Sequence, residues 1–113
     1  MSRSASGLKA WLLQRVSAVY LALFSTWLGL HLFLAPPADY VQWTAWVARP
    51  WVSLGFMVAI VLLLAHAWVG IRDVLMDYVK PLGFRVGAMT AFGLVLLASG
   101  LWAMQALLVV GMR

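Results

Sequence analysis

The stretch His66-Ala-Trp-Val-Gly-Ile-Arg-Asp-Val-Leu-Met-Asp-Tyr78 joins an imidazole inside an apolar run to two carboxylates and a phenol. On an α-helix, at ~100° and ~1.5 Å per residue, Asp73 and Asp77 fall within ~20° of His66's direction, and Asp77 lies ~16 Å further along the axis. One helix face thus carries a candidate metal ligand at depth and ionisable groups toward its end. Such groups are costly in hydrocarbon, so they face a protein interior and mark a functional site by default.

Neutral imidazole is a standard axial ligand of haem iron, which makes both His66 and His31 candidates. Their depths differ. His31 lies ~6 Å from the end of the first apolar run, whereas His66 lies ~22 Å from the matching end of the second. One haem cannot take both ligands from a single copy of this chain, so a bis-histidine haem needs a ligand from another polypeptide. The plainer reading of each histidine is a hydrogen bond to a neighbouring helix.

Asp77 and Tyr78 suit a quinone head group, because a phenol can donate to a quinone carbonyl and an adjacent carboxylate can orient it or pass protons. A tyrosine anchor beside a solvated aspartate is the competing reading. Arg15 opens the first apolar run and could pair with a haem propionate or line a quinone pocket. It could equally snorkel to the interface as a topology signal. Arg72 and Asp73 read as a local charge pair, and Trp27, Trp68 and Trp102 as packing residues able to flank a cofactor.

The elements that must position these groups are transmembrane helices. Of 113 residues, 65% are hydrophobic and 10% charged, far from the composition of a soluble domain. Charge-free runs at 16–35, 51–71 and 86–112 each reach the ~20 residues that cross a bilayer as helix. An all-α membrane protein with three spans and no room for an extramembrane domain follows. The first run is too long for a signal-peptide core and is read as a retained span. Residues 1–7 are expected to be poorly ordered.

Arg3, Lys9, Arg15, Arg72, Lys80 and Arg85 gather on one side, against Arg49 and Arg113 on the other, within a net charge of +5. Six against two places the N-terminus in the cytoplasm and the C-terminus outside. That charge therefore reads as topology rather than as nucleic-acid binding. Pro36-Pro37 ends the first helix, residues 39–48 suit a short interfacial helix, and Pro50 fits the first turn of the next. Tyr40, Trp43, Trp46 and Trp51 form an expected interfacial belt. Pro81 and Gly83 form the second turn, and Gly83/Gly87 and Ser25/Gly29 offer small-residue packing pairs.

With no cysteine, the chain can hold neither a disulfide nor a Cys-ligated iron–sulfur cluster. It carries no dinucleotide fingerprint, P-loop or nucleophile–base set, so it is not expected to be an enzyme on its own. A small transporter or proton conductor, with His66, Asp73 and Asp77 as a relay, is the reading from another class.

The segments His66-Ala-Trp-Val-Gly70 and Asp77-Tyr78-Val-Lys-Pro81, with Gln14-Arg15 at the start of the first span, resemble the hydrophobic membrane anchor (D) subunit of bacterial succinate dehydrogenase, respiratory complex II. The resemblance implies a single membrane-anchor domain over 1–113, with spans near 12–35, 51–78 and 86–111, packed with a partner membrane subunit in the bacterial inner membrane. It implies a complex in which a flavoprotein oxidises succinate, an iron–sulfur subunit relays electrons, and this chain with the cytochrome b556 (C) subunit reduces quinone, expected to be ubiquinone. By the same resemblance His66 is an axial ligand of haem b, the C subunit supplies the other, Tyr78 and Asp77 contact quinone, and Arg15 belongs to the propionate or quinone region. The pattern His66-x-x-x-Gly70-Ile-Arg72 also resembles the haem-ligating helix of the C subunit. The chain lacks the Arg-Pro-x-Ser-Pro-His type of N-terminal segment found there. A fumarate reductase anchor is the remaining alternative within the family.

Overall fold

The computed structural model describes residues 3–112, with side chains from Gly7 onward. Four helices follow one another: α1 (Arg3–Leu34), α2 (Tyr40–Val47), α3 (Pro50–Tyr78) and α4 (Leu82–Gly111). α1 starts inside the segment expected to be poorly ordered; Met1, Ser2 and Arg113, the last counted among the outer basic residues, lie outside the described residues. Three helices are long and apolar enough to cross a membrane: residues Gly7–Leu34 of α1, all of α3 and all of α4. The charge-free runs mark what hydrocarbon can hold, and the helices run further, because Lys9, Arg15, Arg72 and Arg85 are acceptable helix residues at an interface. At ~1.5 Å per residue, α3 is ~43 Å long against ~30 Å of hydrocarbon, so its ends project into the headgroup layers.

α2 has a local cause. Asp39, extended at φ −155°, accepts a hydrogen bond from the Gln42 backbone N–H at 2.8 Å, and the Gln42 side chain accepts from the Ala38 N–H at 2.8 Å. The two exchange satisfaction of backbone donors in the manner of a capping box. Asp39→Ala should therefore cost ~1 kcal/mol and Asp39→Asn much less, measured as a lowered midpoint of thermal unfolding in detergent micelles. Pro50 opens α3 in its first turn, where the missing N–H costs nothing.

The second turn differs from the expected Pro81-Gly83 pair. α4 begins at Leu82 with Pro81 as its N-cap, and Gly83 is already helical. No described glycine has positive φ. Residues 79–81 make the connection instead, tied by Arg85, whose Nε donates to the Val79 carbonyl at 2.9 Å.

α3 is the middle helix. It packs against α1 on one side and α4 on the other, while α1 and α4 have no Cα atoms within 8 Å of each other. Both seams are antiparallel: across α1–α3 Ser17 stands opposite His66 and Tyr20 opposite Gly55, and across α3–α4 Gly93 stands opposite Trp68 and Gly100 opposite Leu64. Glycines set the close approaches: a Cβ at Gly100 would overlap Leu64 Cδ1, and one at Gly93 would lie 3.3 Å from Trp68 Cζ3. Gly93 and Gly100 share a face of α4 within ~20°. The expected pairs do not serve this packing, for Gly83, Gly87 and Gly29 have no neighbouring atom where a Cβ would stand. Gly83 and Gly87 sit ~80° and ~120° around the helix from Gly93, which turns them away from α3.

The aromatic belt also divides. Trp43 and Trp46 are partly buried, whereas Tyr40 and Trp51 are exposed. Trp46 stacks on His31 with centroids 4.3 Å apart and meets Trp27 at 5.7 Å, which lays α2 across the end of α1.

Candidate functional site

On α1, Gln14, Ser17, Tyr20 and Phe24 recur at spacings of three and four, which aligns them along one helix face. On α3, Gly55, Ala59, His66 and Gly70, at spacings of four and seven, share a face in the same way. The seam is apolar at the α2 end, where Phe24 fits against Gly55 and the Tyr20 hydroxyl donates to the Gly55 carbonyl at 2.8 Å. Toward the other end it turns polar. Ser17, completely buried, has its Oγ 3.0 Å from His66 Nδ1 and donates to the Gln14 carbonyl at 3.0 Å. Gln14 itself lies beside Gly70, its Nε2 being 3.8 Å from where a Cβ of residue 70 would stand.

His66 is thus partly buried, oriented through Nδ1 by a neighbouring helix, with no hydrogen-bond partner on Nε2 among the described residues. A buried polar atom of this seam, Gln14 Oε1, also lacks a partner, as does Arg72 Nε further along α3. Leaving such atoms unsatisfied costs ~1–3 kcal/mol each, so this part of the seam suits a polar group from outside the chain. Among the described residues no three His, Cys, Asp or Glu side chains come together to hold a metal ion. A single oriented imidazole would suit a haem as one of its ligands, and any second ligand would come from outside this chain.

His31 does not share this position. It lies ~21 Å along α1 from Ser17, and hence from His66. There it stacks on Trp46 and lines a cavity of about 420 Å3 with Pro37, Gln42 and Arg49 among its walls. This cavity sits at the α2 end, away from His66 and Tyr78. His31 and His66 thus stand at different depths, too far apart to ligate one haem from a single copy of the chain.

Asp77 and Tyr78 close α3, with Tyr78 79% exposed. The connection after them is fixed by Arg85 through the Val79 carbonyl. Asp73 lies on the same face as His66 but is exposed and pairs with Arg72 at 3.5 Å, as the local charge-pair reading expects. No direct hydrogen bond joins His66 to Asp73 or Asp77 among the described residues. Arg15 is exposed, its guanidinium 5.4 Å from the Trp11 ring centroid. It stands ~200° around α1 from Ser17, and the α1–α3 seam does not bring it to His66.

Ser17 and Arg85 are the site residues that pattern reading passed over. A serine in an apolar helix gives little signal until its partner helix is known, since a helical hydroxyl often bonds only its own backbone. Arg85 reads as a topology charge until the turn is seen.

Residues 1–107 match the family described as "Succinate dehydrogenase/Fumarate reductase transmembrane subunit". The chain is 28% identical over 102 residues to the succinate dehydrogenase hydrophobic membrane anchor subunit of Coxiella burnetii, covering 90% of this chain and 89% of that one. It is 37% identical over 76 residues to the subunit of the same name from Rickettsia bellii, covering 66% of this chain and 60% of that one. The Rickettsia felis subunit is 35% identical over 76 residues, with 66% and 62% covered. The chain belongs to the family of succinate dehydrogenase/fumarate reductase transmembrane subunits, and within it is a membrane anchor subunit.

Proposed function

We propose that this chain anchors a succinate:quinone oxidoreductase in the bacterial inner membrane, contributes one axial ligand to haem b, and forms part of the site where quinone is reduced. One observation carries the reading: His66 is held through Nδ1 between two membrane helices, with Nε2 unpartnered among the described residues, in a chain of this family. His66 would hold the iron from one side and the cytochrome b556 (C) subunit from the other. Haem b, when bound, supplies a one-electron store within the membrane. Arg15 would serve its propionates, or the quinone region, once the partner membrane chain is packed beside α1.

The orientation is N-terminus cytoplasmic and C-terminus periplasmic, from the charge asymmetry. It brings Asp77 and Tyr78 to the cytoplasmic headgroup layer, beside the iron–sulfur subunit, which receives electrons from the flavoprotein. Quinone reduction consumes two electrons and two protons. The Tyr78 hydroxyl would donate a hydrogen bond to a quinone carbonyl, and the Asp77 carboxylate, at the water boundary, would resupply protons. Ubiquinone is the expected substrate. A fumarate reductase anchor acting in the reverse direction shares the family description. The C-subunit alternative is less favoured, because the relatives above carry the anchor name.

Mild-detergent purification of the tagged chain from its native membrane tests this. Flavoprotein, iron–sulfur protein and a second small membrane chain should co-purify with a b-type reduced-minus-oxidised spectrum. A chain recovered alone and without haem would overturn the reading and favour the transporter class.

A further inference from the structure

We propose that Ser17 is a positioning residue that sets the tautomer of His66, keeping the proton on Nδ1 and Nε2 bare. A serine hydroxyl has one hydrogen to donate and lone pairs to accept with. Ser17 Oγ lies 3.0 Å from the Gln14 carbonyl oxygen and 3.0 Å from His66 Nδ1. A carbonyl oxygen can only accept, so the first contact is a hydrogen bond only if the serine hydrogen points to Gln14. The second is then a hydrogen bond only if Nδ1 carries the hydrogen and Ser17 Oγ accepts it. The opposite assignment would direct the serine hydrogen to Nδ1 and press two oxygen lone pairs together across 3.0 Å. Ser17 is completely buried, so water cannot repair that choice, and a buried group without its partner is costly.

The consequence is chemical. A metal binds the ring nitrogen that carries no hydrogen, and that nitrogen is selected by the hydrogen bond the other one makes. In water a neutral imidazole favours the proton on Nε2, the wrong tautomer for a ligand reaching out from Nε2. Ser17 reverses this preference and also fixes the ring's rotation, since the bond spans α1 and α3. That the bare Nε2 serves iron rests on the haem reading above; the tautomer does not.

The test uses the full-length chain, 15N-labelled at histidine, in detergent micelles without haem, at a pH where the ring is neutral. His66 resonances are assigned with a His31→Asn variant. The wild-type chain should show a protonated-type Nδ1 and an unprotonated-type Nε2, Ser17→Thr should preserve that pattern, and Ser17→Ala should move the proton largely to Nε2. A wild-type His66 protonated at Nε2 would overturn the proposal without any variant, as would a Ser17→Ala chain that folds and keeps the Nδ1 proton. In the assembled complex, haem affinity should fall at least ~10-fold in Ser17→Ala and recover in Ser17→Thr. If the NMR result holds but wild-type complex contains no haem, the haem reading fails and the tautomer assignment stands.

Discussion

Replacing His66 by alanine is expected to abolish axial ligation from this chain: the low-spin b-type spectrum of the assembled complex should disappear, while His31→Ala leaves it unchanged. The contrast follows from geometry. His66 presents an Nε2 that is unpartnered among the described residues, from a seam that anchors Nδ1. His31 is stacked on Trp46 ~21 Å away along α1. No other histidine is present in the chain, so nothing within it can substitute. The substitution removes a partly buried ring, and Ser17 keeps its hydrogen bond to Gln14, so the α1–α3 seam should persist. Assembly is checked by co-purification of the other subunits, and ligation by electron paramagnetic resonance of the oxidised haem. An unchanged low-spin signal in an assembled His66→Ala complex would remove His66 from the haem.

Much of the fold follows from composition, and the reason is physical. In hydrocarbon every backbone group must be satisfied within the segment, so a long apolar run has almost no alternative to helix. Pro36, Pro37, Pro50 and Pro81 then leave little freedom in where helices stop. Which helices touch is less legible. α1, α3 and α4 are apolar all round, so periodicity does not say which face meets a neighbour. The Gly83/Gly87 pair illustrates this: its spacing matches a packing motif, yet Gly93 and Gly100 make the contact. Such a motif fixes a possible close approach, and the register of the partner decides whether it is used.

The site shows the same division. His66 stands out because an imidazole in an apolar run is costly, and Asp77-Tyr78 because of their place at a helix end. Ser17 is invisible until α1 and α3 are laid side by side, since its role lies in what it faces, His66, across 49 residues of sequence. Arg15 is legible as a residue type and as a position along α1. Its orientation about the helix depends on contacts outside this chain, and α1, whose far side is unpartnered, leaves room for them.

Tyr78→Phe is expected to lower quinone reduction roughly tenfold or more, with succinate–dye activity and the haem spectrum intact. The magnitude follows from one hydrogen bond: losing a donor to a developing oxygen charge costs ~1.5–3 kcal/mol, and ~1.4 kcal/mol is a factor of ten in rate. Phenylalanine keeps the ring, and the helix end is held independently of the hydroxyl, by the Val79 N–H bond to the Leu75 carbonyl and by Arg85 on the Val79 carbonyl. The phenol makes no hydrogen bond within the chain among the described residues and is 79% exposed, so its loss removes no internal contact. Succinate–dye activity draws electrons before they reach the membrane chains and should not change. Asp77→Asn separates proton delivery from binding: it should lower the maximal rate of quinone reduction more than it raises the quinone KM, because an amide still accepts a hydrogen bond but cannot carry a proton at neutral pH. A tyrosine serving only as an interfacial anchor predicts the opposite result, full quinone reduction in Tyr78→Phe, since the phenylalanine ring would still sit at the headgroup layer.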